Sequence, residues 1–224
     1  DVMGHTYVIP DIHGMDGLLG RALAEIDARE LNGGHKVICL GDYIDRGPQS
    51  AQAVKRIRDG IVSGKPWVAL KGNHEDFMAS SVCERHDSMQ RSWMQNGGVE
   101  TLASYSGDVA KVESDALWMA ALPAYHEDAH RVYVHAFAPE QYALDEAPQH
   151  TLLWTRYPQG ADVGYRGRHV VHGHTPQRGG PELLPNRTNL DCGAVFYGRL
   201  VVGVFDDKAP GGPINTFVVA VGAA

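Results

Sequence analysis

The chain has 224 residues, 43% hydrophobic and 21% charged, a globular composition long enough for one large domain, which excludes a disordered chain, a collagen or a coiled coil. Twenty Lys+Arg stand against 27 Asp+Glu for a net charge of −7, which argues against a general nucleic-acid or anionic-membrane binder. No apolar run approaches the roughly 20 residues that span a bilayer, so no membrane association is expected.

Strands and helices alternate along the first half. Tyr7-Val8-Ile9 reads as a strand, followed by a helix with Leu18, Leu19, Ala22, Leu23 and Ile26 on one face. Lys36–Leu40 is a second strand. Pro48 is placed as the first residue of a helix whose apolar face is Ala51, Val54, Ile57 and Ile61. Trp67–Leu70 is a third strand. From Glu75 to Tyr105 the pattern is helical, with a break at Asn96-Gly97-Gly98. Ser114 is read as the N-cap of a helix ending before Pro123. The rest is β-rich: Arg131–His135, His169–Val171, Thr188–Leu190, Gly198–Phe205 and Thr216–Val221, with surface loops at 176–185 and 209–213. This describes one α/β domain over residues 1–224. Three cysteines, Cys39, Cys83 and Cys192, without a C-x-x-C, speak against a disulfide framework, and Asp1-Val2-Met3-Gly4-His5 has no leader pattern. A reducing cytoplasmic setting is expected.

Twelve histidines stand out, and several sit in polar clusters where strands end: Asp11-Ile12-His13-Gly14, Gly41-Asp42-Tyr43-Ile44-Asp45-Arg46-Gly47, Gly72-Asn73-His74-Glu75, His135-Ala136 and His172-Gly173-His174-Thr175. Sites in open α/β sheets form where loops leave the carboxyl ends of strands, so these clusters can converge. Carboxylate, imidazole and amide oxygen without thiolate suit manganese, iron or zinc. So many donors exceed one catalytic ion and suit two, roughly 3.5–4 Å apart.

In their order, these motifs resemble those of the metallophosphoesterases, specifically the bacterial and phage-type Ser/Thr protein phosphatases of the PPP superfamily. Trp93…Asn96-Gly97-Gly98…Thr101-Leu102, Trp154-Thr155-Arg156 and Leu190-Asp191-Cys192-Gly193-Ala194 add to the likeness. Pro10, Phe137 and Cys192 depart from the family pattern, and none is a ligand position. The resemblance implies a calcineurin-like fold, a central β-sandwich flanked by α-helices. It implies two divalent ions, manganese first, with iron or zinc possible. Asp11, His13 and Asp42 would hold one ion. Asp42 would bridge to the other, held by Asn73, His135 and His174, with His172 as the rival to His174. Arg46 and Arg156 would clamp phosphate beside Asn73, with Arg166 and Arg168 as weaker rivals to Arg156. His74 would be the general acid, oriented by Asp45, whose charge would favour the protonated imidazole. The implied reaction is hydrolysis of phosphoserine or phosphothreonine in proteins by a hydroxide between the metals, with phosphorylated proteins or peptides as partners. The alternative on the same scaffold is a dinucleoside polyphosphate hydrolase. Those relatives tend to carry G-N-H-D and lack the second Asp of G-D-x-x-D-R-G, so Glu75 and Asp45 favour the phosphatase.

Other residues have blander roles. His5, His35, His86, His126, His130, His150 and His169 are read as hydrogen-bonded structural residues, and Asn96-Gly97-Gly98 as a helix end and turn. Glu75 is either a support of the site or simply a first-turn acid. Cys39 is read as a small buried hydrophobe.

Overall fold

A computed structural model describes residues 4–30 and 34–222. Asp1–Met3, part of the leader question, lie outside them. The first half runs β1 (His5–Ile9), α1 (Asp16–Arg29), β2 (Lys36–Cys39), α2 (Ser50–Val62) and β3 (Trp67–Ala69). It continues through α3 (Asn73–Val82), α4 (Asp87–Trp93), a π turn (Met94–Gly98), α5 (Val99–Ser104) and α6 (Val109–Ala120). The second half contains β4 (Tyr125–Glu127), β5 (Arg131–Val134), α7 (Gln149–Trp154), β6 (His169–His172), β7 (Glu182–Leu183) and β8 (Arg187–Asn189). It ends with α8 (Ala194–Tyr197), β9 (Arg199–Asp206) and β10 (Asn215–Ala220).

Two mixed five-stranded sheets result, ordered β10-β9-β1-β2-β3 and β4-β5-β6-β8-β7. Alternation along each strand gives every sheet two faces. Val8, Ile38, Leu70 and Phe205 from the first sheet meet Tyr133, Val171 and Leu190 of the second in the filling between them. The other face of the first sheet, with Tyr7, Ile9, Val37 and Cys39, packs under α1 and α2. The outer face of the second, with Val132, Val134 and Val170, is covered by Leu144, Leu152, Tyr157 and Tyr165. The fold is therefore the expected sandwich flanked by helices. β1, β2 and β3 are parallel, as are β5, β6 and β8, so their carboxyl ends open at one rim of each sheet.

Several local expectations change. α6 starts at Val109, capped by Asp108, whose carboxylate accepts the Lys111 N–H at 3.0 Å. Ser114 lies inside that helix; Asp108 has the turn geometry and Ser114 instead receives an Arg58 N–H. α2 starts at Ser50 rather than Pro48, because Gly14 O accepts the Gln49 N–H and ties the preceding turn to the β1 loop. The long helical stretch breaks a second time at 83–86. β7 lies within the expected 176–185 loop, while Ala209 and Gly211 in the other loop accept N–H groups of the buried Arg131.

Candidate active site

The Asp11, Asp42 and Asn73 loops leave the ends of β1, β2 and β3, and the His135 and His174 segments leave β5 and β6. Gly72 permits a close approach between them: a Cβ there would lie 2.2 Å from Asp42 Oδ1 and 2.4 Å from Asp42 N. Glu75 then fixes the loops to one another. It is fully buried, and its carboxylate accepts three backbone N–H groups, from Asp42 (2.7 Å), Tyr43 (2.8 Å) and Gly72 (2.8 Å). Of its two sequence readings, the structure supports the supporting role.

The backbone at the site is strained. His13, Asp42, Asp45, Arg46 and His174 all have positive φ, between 45° and 74°, where an L-residue loses roughly 1–2 kcal/mol. Loop-to-loop bonds hold that conformation, such as the Ile12 and His13 N–H groups both donated to Asp42 O.

Asp42 faces two ways. Its Oδ2 lies 3.5 Å from His13 Nε2 and 3.9 Å from His74 Nε2, while its Oδ1 lies 3.4 Å from His135 Nε2. Two three-donor clusters thus share Asp42: His13–Asp42–His74 and Asp42–His135–His174. Asn73 Oδ1 joins the second, 2.9 Å from His135 Nε2 and 3.0 Å from His174 Nδ1. Asp11 lines the same cavity, with its carboxylate accepting the His174 N–H at 3.0 Å. It lies outside the tight three-donor group on its side, where His74 stands.

The rear nitrogens separate the histidines by role. His13 Nδ1 pairs with Ile44 O at 2.8 Å, His135 Nδ1 with Leu40 O at 3.0 Å, and His174 Nε2 with Trp154 O at 3.1 Å. An imidazole that donates its rear proton to a carbonyl turns a lone pair forward, as metal ligands do. His135 and His174 therefore present lone pairs to Asn73 Oδ1 with no proton between them, a contact that a cation relieves. His74 differs, because its Nδ1 meets a carboxylate, Asp45 Oδ2, at 2.6 Å. Asp45 is in turn fixed by Trp93 Nε1–H at 2.9 Å and Thr101 Oγ1–H at 2.6 Å.

The electrostatics fit the same group. Burial and the negative charge of Asp191 raise the Asp11 carboxyl well above its ordinary range, and burial with Asp11 and Glu75 does so for Asp42. Burial pushes Glu75 and Asp45 to about 7 and Asp191 to about 6. Burial lowers His13 and His135, and burial followed by Arg156 lowers His174 to about 4, so these imidazoles are neutral and able to ligate. Crowded carboxyl groups, whose charge a cation would stabilise, and neutral imidazoles around one space form a donor set that fits divalent cations. Burial, then Arg46 and His174, lower His74 and outweigh the Asp45 carboxylate on its Nδ1.

A cavity of about 410 Å³ opens over these groups, walled also by Arg46, Arg156, Phe77, Trp154 and Phe196. Arg46 reaches in, with Nη2 3.0 Å from His74 Nε2. Arg156 lines the cavity. Arg168 pairs with Glu127 at 2.7 Å, and the Arg166 N–H binds Glu140, so neither rival is in the cavity wall. His172 accepts an Arg187 N–H at 2.7 Å and stands outside the donor clusters. Phe137 packs 4.4 Å from Tyr157, away from the His135 donor. A larger groove, about 670 Å³, between α1 and α2 contains none of the candidate residues. Asp191, marked in the sequence only by its place in the 190–194 run, has a carboxylate that accepts the Gly193 N–H and whose charge raises the Asp11 carboxyl. Trp93 is buried, yet its indole N–H serves the site through Asp45.

A two-sheet α/β scaffold with clustered carboxylates and imidazoles at its strand ends defines a metal-dependent phosphoesterase. Residues 4–201 match the calcineurin-like phosphoesterase family, and the chain belongs to it. Serine/threonine-protein phosphatase 1 of Salmonella typhimurium is 28% identical over 214 residues, covering 88% of this chain and 90% of that one. The asymmetrical bis(5'-nucleosyl)-tetraphosphatase PrpE of Anoxybacillus flavithermus is 29% identical over 221 residues, covering 86% and 87%. Among solved structures, a Saccharomyces cerevisiae protein serine/threonine phosphatase superposes with a TM-score of 0.68 at 18% identity, covering 98% of this chain and 81% of that one. One described as a putative diadenosine tetraphosphatase gives 0.67 at 20%, covering 98% and 95%. The structures share the fold. Among the described residues no helix is long and apolar enough to cross a membrane.

Proposed function

We propose that this metallophosphoesterase is a phosphomonoesterase acting on phosphoserine and phosphothreonine in cytoplasmic proteins, with two divalent ions, manganese first and iron or zinc as substitutes. The observation that carries the reading is Asp42, whose two carboxylate oxygens address two donor clusters. Asp11, His13 and Asp42 would hold one ion, and Asp42, Asn73, His135 and His174 the other. Bound there, such ions supply positive charge to the phosphoryl oxygens and acidify water at neutral pH.

The remaining roles belong to the chain. Arg46 and Arg156 stand on the cavity wall and match phosphate oxygens with their planar forks, stabilising charge on the equatorial oxygens. Asn73 lines the same cavity and would stand beside those oxygens. A serine alkoxide is a poor leaving group and needs a proton. His74 Nε2 points into the cavity and can deliver one, while Asp45 at 2.6 Å fixes the ring.

A second reading, dinucleoside tetraphosphate hydrolysis, is favoured by the relatives that carry that name at similar identity. The first is favoured by the cavity wall, where Arg46 and Arg156 suit one terminal phosphate. The test is turnover of p-nitrophenyl phosphate with added manganese, then parallel rates on a phosphoserine peptide and on diadenosine tetraphosphate. Faster cleavage of the dinucleotide would replace the first reading with the second. Faster cleavage of bis-p-nitrophenyl phosphate than of the monoester would replace both with a phosphodiesterase.

A further inference from the structure

The catalytic cavity does not close at Phe196. This ring, 57% exposed, lies 5.6 Å from the Arg46 guanidinium and walls two spaces at once. The second is a groove of about 520 Å³ that shares Arg46, Asn96 and Phe196 with the cavity and runs along the π turn to Val99 and Glu100. Val99 is 57% exposed, so two large apolar side chains stand in solvent on one path leading away from the phosphate position. Burying such surface is favourable, and the groove offers it beside the reacting centre.

Charge decides what can lie there. Arg46 is the only cation among the groove residues, and it turns inward to His13 and His74. Glu100 is the groove's acid and is exposed. A chain of further phosphates would run past Glu100 with no cation to meet it, whereas a polypeptide brings an uncharged backbone and apolar side chains. Gln95 and Asn96, both exposed, offer amide groups for that backbone.

We propose that this groove seats the polypeptide flank of the substrate, taking an apolar side chain against Phe196 and Val99, and that Glu100 selects against acidic flanks. The proposal rests on the protein-phosphatase reading and adds to it a sequence preference.

The test uses the manganese-loaded enzyme and phosphoserine peptides carrying Leu, Ala or Asp at each of the three positions on either side of the phosphoserine. At one position at least, kcat/KM for Leu is expected to exceed that for Asp by roughly tenfold, the order of discrimination a single apolar contact provides. Phe196→Ala should cut the Leu preference. Glu100→Lys should raise the Asp peptides about three- to tenfold relative to the Leu peptides at that position, which a merely structural role would not do. Rates within twofold across the whole wild-type series would overturn the proposal while leaving the phosphatase reading intact, and this arm needs no variant to fold. Glu100→Lys raising Leu and Asp peptides alike would remove Glu100 from selection. Cleavage of diadenosine tetraphosphate with none of any phosphopeptide would overturn the underlying reading and the groove with it.

Discussion

Gly97→Ala measures how tightly the π turn supports the catalytic loop. Gly97 has φ +112°, and an added Cβ would lie 2.3 Å from Arg46 N and 2.8 Å from Asp45 Cβ. The backbone conformation alone costs an alanine about 1–2 kcal/mol. The contact is about 1 Å too short for a carbon against a backbone nitrogen, and overpacking of that kind costs about 1–3 kcal/mol. Together these give about 2–5 kcal/mol, or a fall in Tm of about 4–20 °C for a chain of this size. The displaced atoms belong to Asp45, which carries His74, and to Arg46. A shift of about 1 Å at such groups costs on the order of 100-fold in rate. The control is Gly107→Ala. Gly107 also has positive φ, +84°, but nothing lies within 4 Å of its Cβ position. It should lose only the conformational part, a few degrees in Tm, with kcat unchanged. The assays are thermal unfolding and p-nitrophenyl phosphate turnover with manganese. Equal losses of Tm and of kcat in the two variants, or wild-type kcat in Gly97→Ala, would show that the π turn does not brace Asp45 and Arg46.

Four further outcomes are expected. His74→Asn should lower kcat about 10²–10⁴-fold with metal content unchanged, and wild-type turnover would remove His74 from the acid role. Asp42→Asn should reduce occupancy at both ion positions, so metal analysis giving two full sites would refute the bridge. Arg156→Ala should weaken phosphate binding and raise KM, whereas Arg168→Ala, whose ion pair is with Glu127, should leave it unchanged. Asp128 tests pH dependence away from the site. Burial raises its carboxyl, but the His130 N–H, the Tyr133 O–H and the Arg131 N–H outweigh burial, and its pKa is lowered from 3.8. A depressed carboxylate stabilises above its unfolded pKa and stops doing so as pH falls through its folded one. The Tm gap between wild type and Asp128→Asn should therefore be full at pH 7 and narrow below about pH 3.8; a constant gap would contradict the assignment.

The strands were legible because their faces alternate or are buried on both sides, and both kinds of run are marked by Val and Ile. Short elements were not: β7 has two residues and α8 four, too few for any period to show. The cap of α6 was misplaced because Asp108 and Ser114 are both capping residue types, and only the φ/ψ of the turn decides between them. The donors stood out in sequence because ligand chemistry needs particular side chains at loop positions. What sequence could not show is which nitrogen each histidine spends on the scaffold. Carbonyls of Ile44, Leu40 and Trp154 lie 31, 95 and 20 residues from the rings they bind. Those pairings exist only in the folded chain, that of His135 with Leu40 only once the two sheets are stacked, and they distinguish His74, the ring bound to a carboxylate, from three rings bound to carbonyls.

The same reasoning explains why supporting residues were harder to see than the donors. Glu75, Trp93 and Thr101 act through backbone N–H groups or through Asp45, and each has a type common at its position for ordinary reasons: an acid in a helix first turn, an aromatic in a core, a hydroxyl on a helix. Their chemistry becomes specific only through burial. In water an indole N–H or a threonine hydroxyl would find solvent. Buried here, both donate to the Asp45 carboxylate, and each bond restricts the rotation of a group that must hold His74 upright. The strain at Asp42, Asp45 and Arg46 follows from the same arrangement. A loop that must turn three polar side chains inward over five residues cannot keep ordinary φ values at all of them, and the bonds to Glu75, Ser50 and Thr101 offset that cost.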